Sequence, residues 1–284
     1  GVKHRFVNPM LDKGFKITLG SIGSEEHLKN LLNRILPGIN IVNLRYINTE
    51  RHGLTVEEGK AVCDAYCEDA DGLKFLVEMQ RGEQQFFKDR SIFYSTFPIR
   101  ERAQRGTEWN YRLKAVYTIG ILNFCFDRNN PEYFHHEVKL TDTKTGEVFY
   151  DKLCYVYLEM PKFTKTEAEL ETLFDKWLYA IRHLPTLLKR PEALQEKVFQ
   201  RFFEAAEIAK FNKQERLEYE DTLKAYRDWY SVMETAEKKG EAKGRAEGEA
   251  QKTVEIARNL KACGVDVATI AQTTGLSKED VSAL

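Results

Sequence analysis

The chain has 284 residues, of which 42% are hydrophobic and 31% are charged. This hydrophobic share supports a buried core and excludes an intrinsically disordered chain. The 43 Lys and Arg residues nearly balance the 44 Asp and Glu residues, which excludes a uniformly basic nucleic-acid binder, so any preference for a charged partner must come from local charge.

The cysteines and the apolar runs indicate the cellular compartment of the protein. Five cysteines in a chain of this length do not suggest a disulfide framework. If Cys63 and Cys67 lie in one strand, their spacing puts them roughly 13 Å apart, too far to share a metal ion. The longest apolar run, near residues 117–126, is too short to cross a bilayer, and the sequence opens with no signal-peptide pattern. We therefore expect a cytoplasmic protein with no membrane partner.

Residues 1–160 mix apolar runs with turn residues, a pattern typical of an α/β domain. Ser24 predicts the N-cap of a helix that stops at Pro37 and Gly38. Polar turn residues at 68–72 predict a hairpin between two strands. In chain order, we predict a helix over residues 25–36, strands at 39–47, 60–67 and 73–80, a helix over 85–104, and strands at 112–126, 136–141 and 148–158.

Residues 161–235 are rich in Leu, Glu, Lys and aromatic residues at helical spacing. This spacing predicts helices near 166–183, 192–208 and 213–237, packed as a layer on the first domain. Pro185 and Pro191 separate the first two of these helices. The simplest interpretation of the large aromatic residues here is that they form the core of the layer, namely Trp177, Phe202, Phe203 and Trp229.

Residues 236–284 form a tail without aromatic residues. Gly240, Gly244 and Gly248 share one helix stripe, which allows either the close approach of another helix or a weak, solvated helical linker. Short helices separated by glycines follow and resemble a helix-turn-helix; they are predicted near 254–262, 267–273 and 277–284. The recognition-helix position would hold Lys278, Glu279 and Asp280, a poor surface for phosphate, and the tail as a whole carries eight basic and eight acidic residues. We therefore favour packing or self-association into a homo-oligomer over DNA reading.

The predicted hairpin carries the residues with the clearest chemistry. Asp64 lies in its first strand, and Glu78 and Gln80 share one face of its second strand. A turn centred at residues 70–72 places Asp64 almost opposite Glu78, with their Cβ atoms roughly 5 Å apart. Facing carboxylates repel each other unless one is protonated or a cation lies between them.

Two interpretations of these acids follow. The hairpin is either solvated, with ordinary surface acids, or it is a site for a hard ion such as Mg²⁺ or Mn²⁺. In the second case Asp64, Glu78 and the Met79 carbonyl are the candidate ligands. An ion held in this way keeps several waters, one of which can attack a phosphodiester, and Gln80 is placed to orient that water.

Motifs along most of the chain, in this order, resemble the PD-(D/E)xK nuclease superfamily and, more narrowly, its Rpn (recombination-promoting nuclease) and transposase group. The motifs are Asp12-x-x-Phe15-Lys16, Leu31-Leu32-Asn33-x-Ile35-Leu36, Asp64, Val77-Glu78-Met79-Gln80, Arg90-x-x-x-Tyr94, Tyr111 with Leu113, and Ile270-Ala271-x-x-Thr274-Gly275-Leu276. The resemblance implies an α/β fold with a restriction-endonuclease-like mixed sheet flanked by helices. It implies a nuclease-like core over residues 1–160, a helical extension packed on the core over 161–235, and a glycine-spaced helical linker with a helix-turn-helix-like tail over 236–284.

The resemblance also implies a Mg²⁺-dependent DNA endonuclease, linked to recombination, mobile elements or defence against foreign DNA. It makes Asp64 and Glu78 catalytic metal ligands and places Gln80 where the superfamily usually has lysine, while Cys63 stands in place of the usual proline. Because glutamine brings no positive charge, the alternative is a catalytically degenerate nuclease fold that binds DNA or self-assembles.

The third acid of the site is less defined by the sequence. Glu25 falls near the apolar face of the first predicted helix, and we favour it as the remaining catalytic residue. Asp12 is the other candidate, although it could instead cap the chain locally or pair with Lys16.

Local charge indicates either where DNA would lie or simply a solvated helix face. Residues 81–114 carry eight basic and four acidic residues, directly after the predicted metal-binding strand. We predict that Lys88, Arg90 and Tyr94 contact nucleic acid. Arg90 and Tyr94 share a helix face, so they either touch phosphate or brace the helix on the sheet.

Overall fold

A computed structural model describes residues 4–36, 38–47, 63–103, 111–126 and 129–284. Parts of several predicted features lie outside the described residues, namely Pro37, residues 60–62, Gln104, Arg105, Glu108 and the side chain of Arg102.

The described strands form one mixed sheet. They are β1 (Leu44–Tyr46), β2 (Ala65–Asp69), β3 (Lys74–Gln80), β4 (Val116–Leu122), β5 (His135–Thr141) and β6 (Val148–Glu159). Their order is β1-β2-β3-β4-β6-β5, with β3, β4 and β6 parallel and the outer pairs antiparallel. Because the parallel strands run in one direction, their carboxyl ends at Gln80, Leu122 and Glu159 share one edge of the sheet.

Helices flank this sheet, as the predicted α/β fold class requires. The α-helices in the described part of the chain are α1 (Asp12–Thr18), α2 (Glu25–Ile35), α3 (Phe87–Ala103), α4 (Leu173–His183), α5 (Lys197–Ala205), α6 (Lys213–Ala262), α7 (Val267–Thr274) and α8 (Lys278–Ala283). The mixed sheet with flanking helices confirms the predicted fold class. None of the described helices has both the length and the apolar character needed to cross a membrane.

The residues of β3 predicted to be core are buried, and Leu76 on the opposite face is buried as well. Phe75, Val77 and Met79 are at most 5% exposed. The helical layer has its own aromatic cluster, in which the fully buried Trp177 contacts Phe199 and Phe202 at ring-centroid distances of 4.8 and 5.1 Å.

The core prediction for the helical layer is confirmed for three of its four aromatic residues. Trp177, Phe202 and Phe203 are buried, and the Trp177 indole donates a 2.7 Å hydrogen bond to Asn30 of α2. The prediction is wrong for Trp229, which is 38% exposed on α6.

Hydrogen bonds between side chains and the backbone explain why several helices and strands begin or end at other residues than predicted. The predicted strand at 39–47 shrinks to β1, because the Asn33 side chain bonds the backbone N–H and C=O of Ile41 at 2.8 and 2.9 Å. The predicted helix at 166–183 begins only at Leu173, where Thr172 accepts a 3.1 Å hydrogen bond from the Asp175 backbone N–H. Ser24 does occupy the N-cap position of α2, but its hydroxyl bonds to Ser21 and Tyr46 rather than to the helix backbone.

The chain divides into two compact units, residues 1–223 and 224–284. In the second unit, the helix predicted to end near 237 continues to Ala262 as part of α6. The glycines at 240, 244 and 248 lie within this helix, and a Cβ added to any of them would meet nothing within 4 Å among the described residues. The end of α6 packs with α7 and α8 through the fully buried side chains of Ala257, Ile270 and Val281.

Candidate active site

The hairpin of β2 and β3 brings Asp64 beside Glu78. Ala65 pairs with Val77 in the ladder, so the preceding residue, Asp64, comes level with Glu78. Asp64 Oδ2 also accepts a 2.7 Å hydrogen bond from the Met79 backbone N–H. The two acids therefore meet at the open end of the hairpin.

A short turn at the other end of the hairpin fixes this register. Asp69 accepts hydrogen bonds from the backbone N–H groups of Asp71 and Leu73 at 3.0 and 2.8 Å. Gly72 adopts a φ of 79°, a conformation that favours glycine. This turn chemistry holds the strands in the pairing that aligns the acids.

Arg90 on α3 contacts both functional groups of the β3 strand. Its Nη2 donates to Glu78 Oε1 and to Gln80 Oε1, each at 2.5 Å. Its Nη1 donates to Gln84. The Gln80 Nε2 donates to the Gly82 carbonyl at 3.1 Å, which fixes the amide oxygen toward Arg90.

Burial controls the protonation of the two acids. Desolvation raises the pKa of Asp64 to about 6, against the lowering effect of the Met79 N–H. Desolvation likewise raises the pKa of Glu78 to about 7, although the Arg90 guanidinium acts in the opposite direction. A nearby cation would therefore stabilise the ionised form of both carboxyl groups.

The two candidates for the third acid occupy different surroundings. Asp12 at the start of α1 pairs with Arg81 at 2.8 Å, and its negative charge raises the pKa of Asp64. Glu25 accepts a 2.7 Å hydrogen bond from the Gly23 backbone N–H at the start of α2. The charge of Asp12 thus acts on Asp64, whereas burial and the charge of Glu25 raise the pKa of Tyr46 and of Cys67.

The predicted nucleic-acid contacts lie along α3. The Lys88 ammonium lies 5.1 Å from the centre of the Phe126 ring, and Lys88 itself is exposed. The Arg90 guanidinium lies 5.8 Å from the centre of the Tyr94 ring. Arg90 therefore reaches the acids while Lys88 stays at the surface of the same helix.

The donor set fits a hard divalent cation. No group of three or more His, Cys, Asp and Glu side chains among the described residues gathers as a metal site. Asp64 and Glu78 instead offer two desolvated carboxylates, and a site of this kind suits Mg²⁺, which usually keeps several waters beside one or two carboxylates.

Three features of the site are absent from the sequence predictions. Arg81 pairs with Asp12, Gln84 accepts from Arg90, and Gly120 pairs with Glu78 across β3 and β4. The excess of basic residues after β3 was the available signal for Arg81. The positions of Gln84 and Gly120 depend on how α3 packs on the sheet, which local sequence patterns do not report.

Comparison with known protein families agrees with this geometry. Residues 9–236 match the family model described as PD-(D/E)XK nuclease family transposase. Residues 250–284 match the model described as Rpn/YhgA-like nuclease family, C-terminal HTH domain. No curated protein and no solved structure matches the chain significantly. Since the first match covers well over half of its length, the chain belongs to the PD-(D/E)XK nuclease family of transposases, with the C-terminal HTH domain of the Rpn/YhgA-like nucleases.

Proposed function

We propose that this protein is a metal-dependent DNA endonuclease that hydrolyses phosphodiester bonds. The observation that carries the proposal is the pair of desolvated carboxylates, Asp64 and Glu78, side by side in the sheet of a nuclease-family chain. Burial raises the pKa of both acids even with Arg90 beside Glu78, so a metal ion between the carboxylates would offset the remaining cost of desolvation.

Three groups of this chain would hold the ion, namely the carboxylates of Asp64 and Glu78 and the Met79 carbonyl. Mg²⁺, or Mn²⁺ in its place, supplies positive charge to the phosphate when bound and lowers the pKa of a coordinated water. Gln80 presents its amide oxygen beside Glu78 and would orient the attacking water. Of the two candidates for a third acid, Asp12 is supported by its electrostatic interaction with Asp64, whereas Glu25 has only the sequence argument.

DNA is the proposed substrate. Lys88, Arg90 and Tyr94 lie on α3, which follows β3 directly, and would contact the phosphate backbone. The match of residues 250–284 to an HTH domain also supports DNA as the partner. We further propose that the protein works in the cytoplasm, in recombination, mobile-element activity or defence against foreign DNA.

Nicking of supercoiled plasmid tests the proposed activity. We expect the full chain to nick plasmid with Mg²⁺ and to stop when EDTA removes the ion. Asp64→Asn and Glu78→Gln should reduce nicking to background while circular dichroism shows an unchanged fold. Asp12→Asn and Glu25→Gln form a matched pair, and we expect the first to reduce nicking more. Undiminished nicking by both Asp64→Asn and Glu78→Gln would rule out the site.

A degenerate nuclease fold that binds DNA without cutting it is the second candidate. The ion pair between Arg90 and Glu78 favours it, because it neutralises one acid without a metal. Calorimetric titration with Mn²⁺ separates the two candidates. An absence of Mn²⁺ binding together with retained DNA binding would support the degenerate fold.

We also propose that the chain forms a homo-oligomer through residues 236–284. The glycine stripe of α6 meets no other described residue and remains available to a second copy. Light scattering should give a mass above that of one chain, and deletion of 236–284 should lower it. A monomeric mass for the full chain would contradict this proposal.

A further inference from the structure

The site contains a permanently charged side chain, Arg90, which lies on α3 rather than on β3. Glutamine occupies position 80, and its amide carries no charge. The Arg90 guanidinium lies 2.5 Å from both Gln80 Oε1 and Glu78 Oε1. The Arg90 guanidinium therefore places a positive charge beside Gln80, which is itself neutral.

Close packing of α3 on the sheet allows Arg90 to reach this point. Gly120 lies next to Glu78 in the ladder, and a Cβ added to it would come within 3.2 Å of Phe87 in α3. The absence of a side chain at Gly120 therefore lets α3 lie close to the strands. Ser91, the next residue after Arg90, shares a 2.7 Å hydrogen bond with the Tyr157 hydroxyl of β6.

The guanidinium is also placed to accept a ligand. Only 26% of its side chain is exposed, so its charge is only partly screened by water. Its Nε is buried and has no hydrogen-bond partner among the described residues. A phosphate oxygen would approach the exposed part of this side chain, because guanidinium groups donate strong hydrogen bonds to phosphate.

We propose that Arg90 is the cationic catalytic residue of this nuclease and that it donates to an oxygen of the scissile phosphate. The inference rests on the proposed endonuclease function. Arg90 would stabilise the negative charge that develops on the phosphate as the attacking water bonds to phosphorus and the P–O bond to the leaving oxygen breaks. In this role it supplies from α3 the charge that Gln80 does not supply from β3.

Charge exchange between positions 80 and 90 tests the inference. We expect Arg90→Gln to lower the cleavage rate about 10²–10³-fold, the usual effect of losing one transition-state donor. Arg90→Lys should retain more activity than Arg90→Gln, because it keeps the charge. The double variant Gln80→Lys/Arg90→Gln should recover at least about tenfold over Arg90→Gln, because it returns a cation to the same point. Arg34→Gln is the control, since it removes an exposed cation of α2 outside the proposed site, and it should leave both the rate and DNA binding unchanged.

Two readouts besides activity separate catalysis from mere positioning of Glu78. Mn²⁺ affinity measured by calorimetry should be equal or tighter in Arg90→Gln, because the guanidinium no longer competes for Glu78. DNA affinity measured in EDTA should fall less than tenfold. A loss of Mn²⁺ affinity that matches the loss of rate would overturn the inference, as would the absence of recovery in the double variant.

The result for the unmodified chain distinguishes this inference from the function on which it rests. If the unmodified chain does not cleave DNA, the proposed function fails. If it cleaves and Arg90→Gln cleaves at a similar rate, only the role of Arg90 is refuted.

Discussion

Asp64→Asn is expected to stabilise the metal-free protein at neutral pH. Asparagine has nearly the shape of aspartate and keeps an oxygen that can accept the Met79 N–H, which Asp64 Oδ2 accepts at 2.7 Å. The substitution removes a buried negative charge. The expected gain is therefore the desolvation cost that the native carboxylate imposes on the folded state.

The size of the gain follows from the pKa of Asp64, which burial raises from 3.8 to about 6. Because the folded state binds this proton more tightly than the unfolded state, native stability falls as pH rises from about 4 to about 6 and then stays level. At about 1.4 kcal/mol per pKa unit, the loss is at most about 3 kcal/mol. We therefore expect Asp64→Asn to raise the free energy of unfolding by about 1–3 kcal/mol at pH 8.

Urea unfolding in EDTA, followed by circular dichroism at pH 4 and pH 8, measures this gain. The stability of Asp64→Asn should exceed that of the native chain at pH 8, and the difference should shrink toward zero at pH 4. Asp221→Asn is the control, because Asp221 is exposed on α6 and its replacement should bring no such gain. Mg²⁺ should stabilise the native chain and leave Asp64→Asn unchanged. Equal or lower stability of Asp64→Asn at pH 8 would refute the reasoning that burial of this charge is costly.

Three further substitutions test the packing and capping of the two units. Gly120→Ala should lower the free energy of unfolding in urea by about 1–3 kcal/mol, because the added Cβ would lie 3.0 Å from Tyr157 and 3.2 Å from Phe87. An unchanged urea midpoint would show that α3 can shift without cost. Trp177→Ala should cost about 3–5 kcal/mol in the same assay, because it empties a fully buried site, and a cost below 1 kcal/mol would contradict that packing. Asp266→Ala removes the N-cap of α7, whose side chain accepts the Thr269 N–H, and should cost about 1 kcal/mol, seen as faster amide hydrogen exchange in α7; unchanged exchange would count against the cap.

Local patterns were enough to predict the hairpin and its acids. The alternation of Phe75, Val77 and Met79 identifies one buried face of β3, although Leu76 shows that the other face is partly covered too. Turn residues before Leu73 set the register. The pairing of Ala65 with Val77 follows from these two signals together.

Features that depend on distant contacts could not be predicted in this way. The predicted strand at 39–47 is shorter in the structure because the Asn33 side chain of α2 forms hydrogen bonds with the backbone N–H and C=O of Ile41. These backbone groups therefore do not pair with a neighbouring strand through those bonds. The contact between Arg90 and Glu78 depends on the approach of α3 at Gly120, which joins β3, β4 and α3. The length of α6 was underestimated because each glycine disfavours helix by about 1 kcal/mol, whereas the Ala, Glu, Lys and Arg residues between them are strong helix formers.

The location of the site within residues 64–90 has a consequence for folding. A hairpin closes a short loop, so Asp64 and Glu78 can come together in water before β4 and β6 join the sheet through longer connections. We expect the two acids to lose most of their water when α3 packs over β3 and β4. Because Arg90 is part of α3, the step that desolvates the acids also delivers their counter-charge, and the chain never has to bury the pair without a cation.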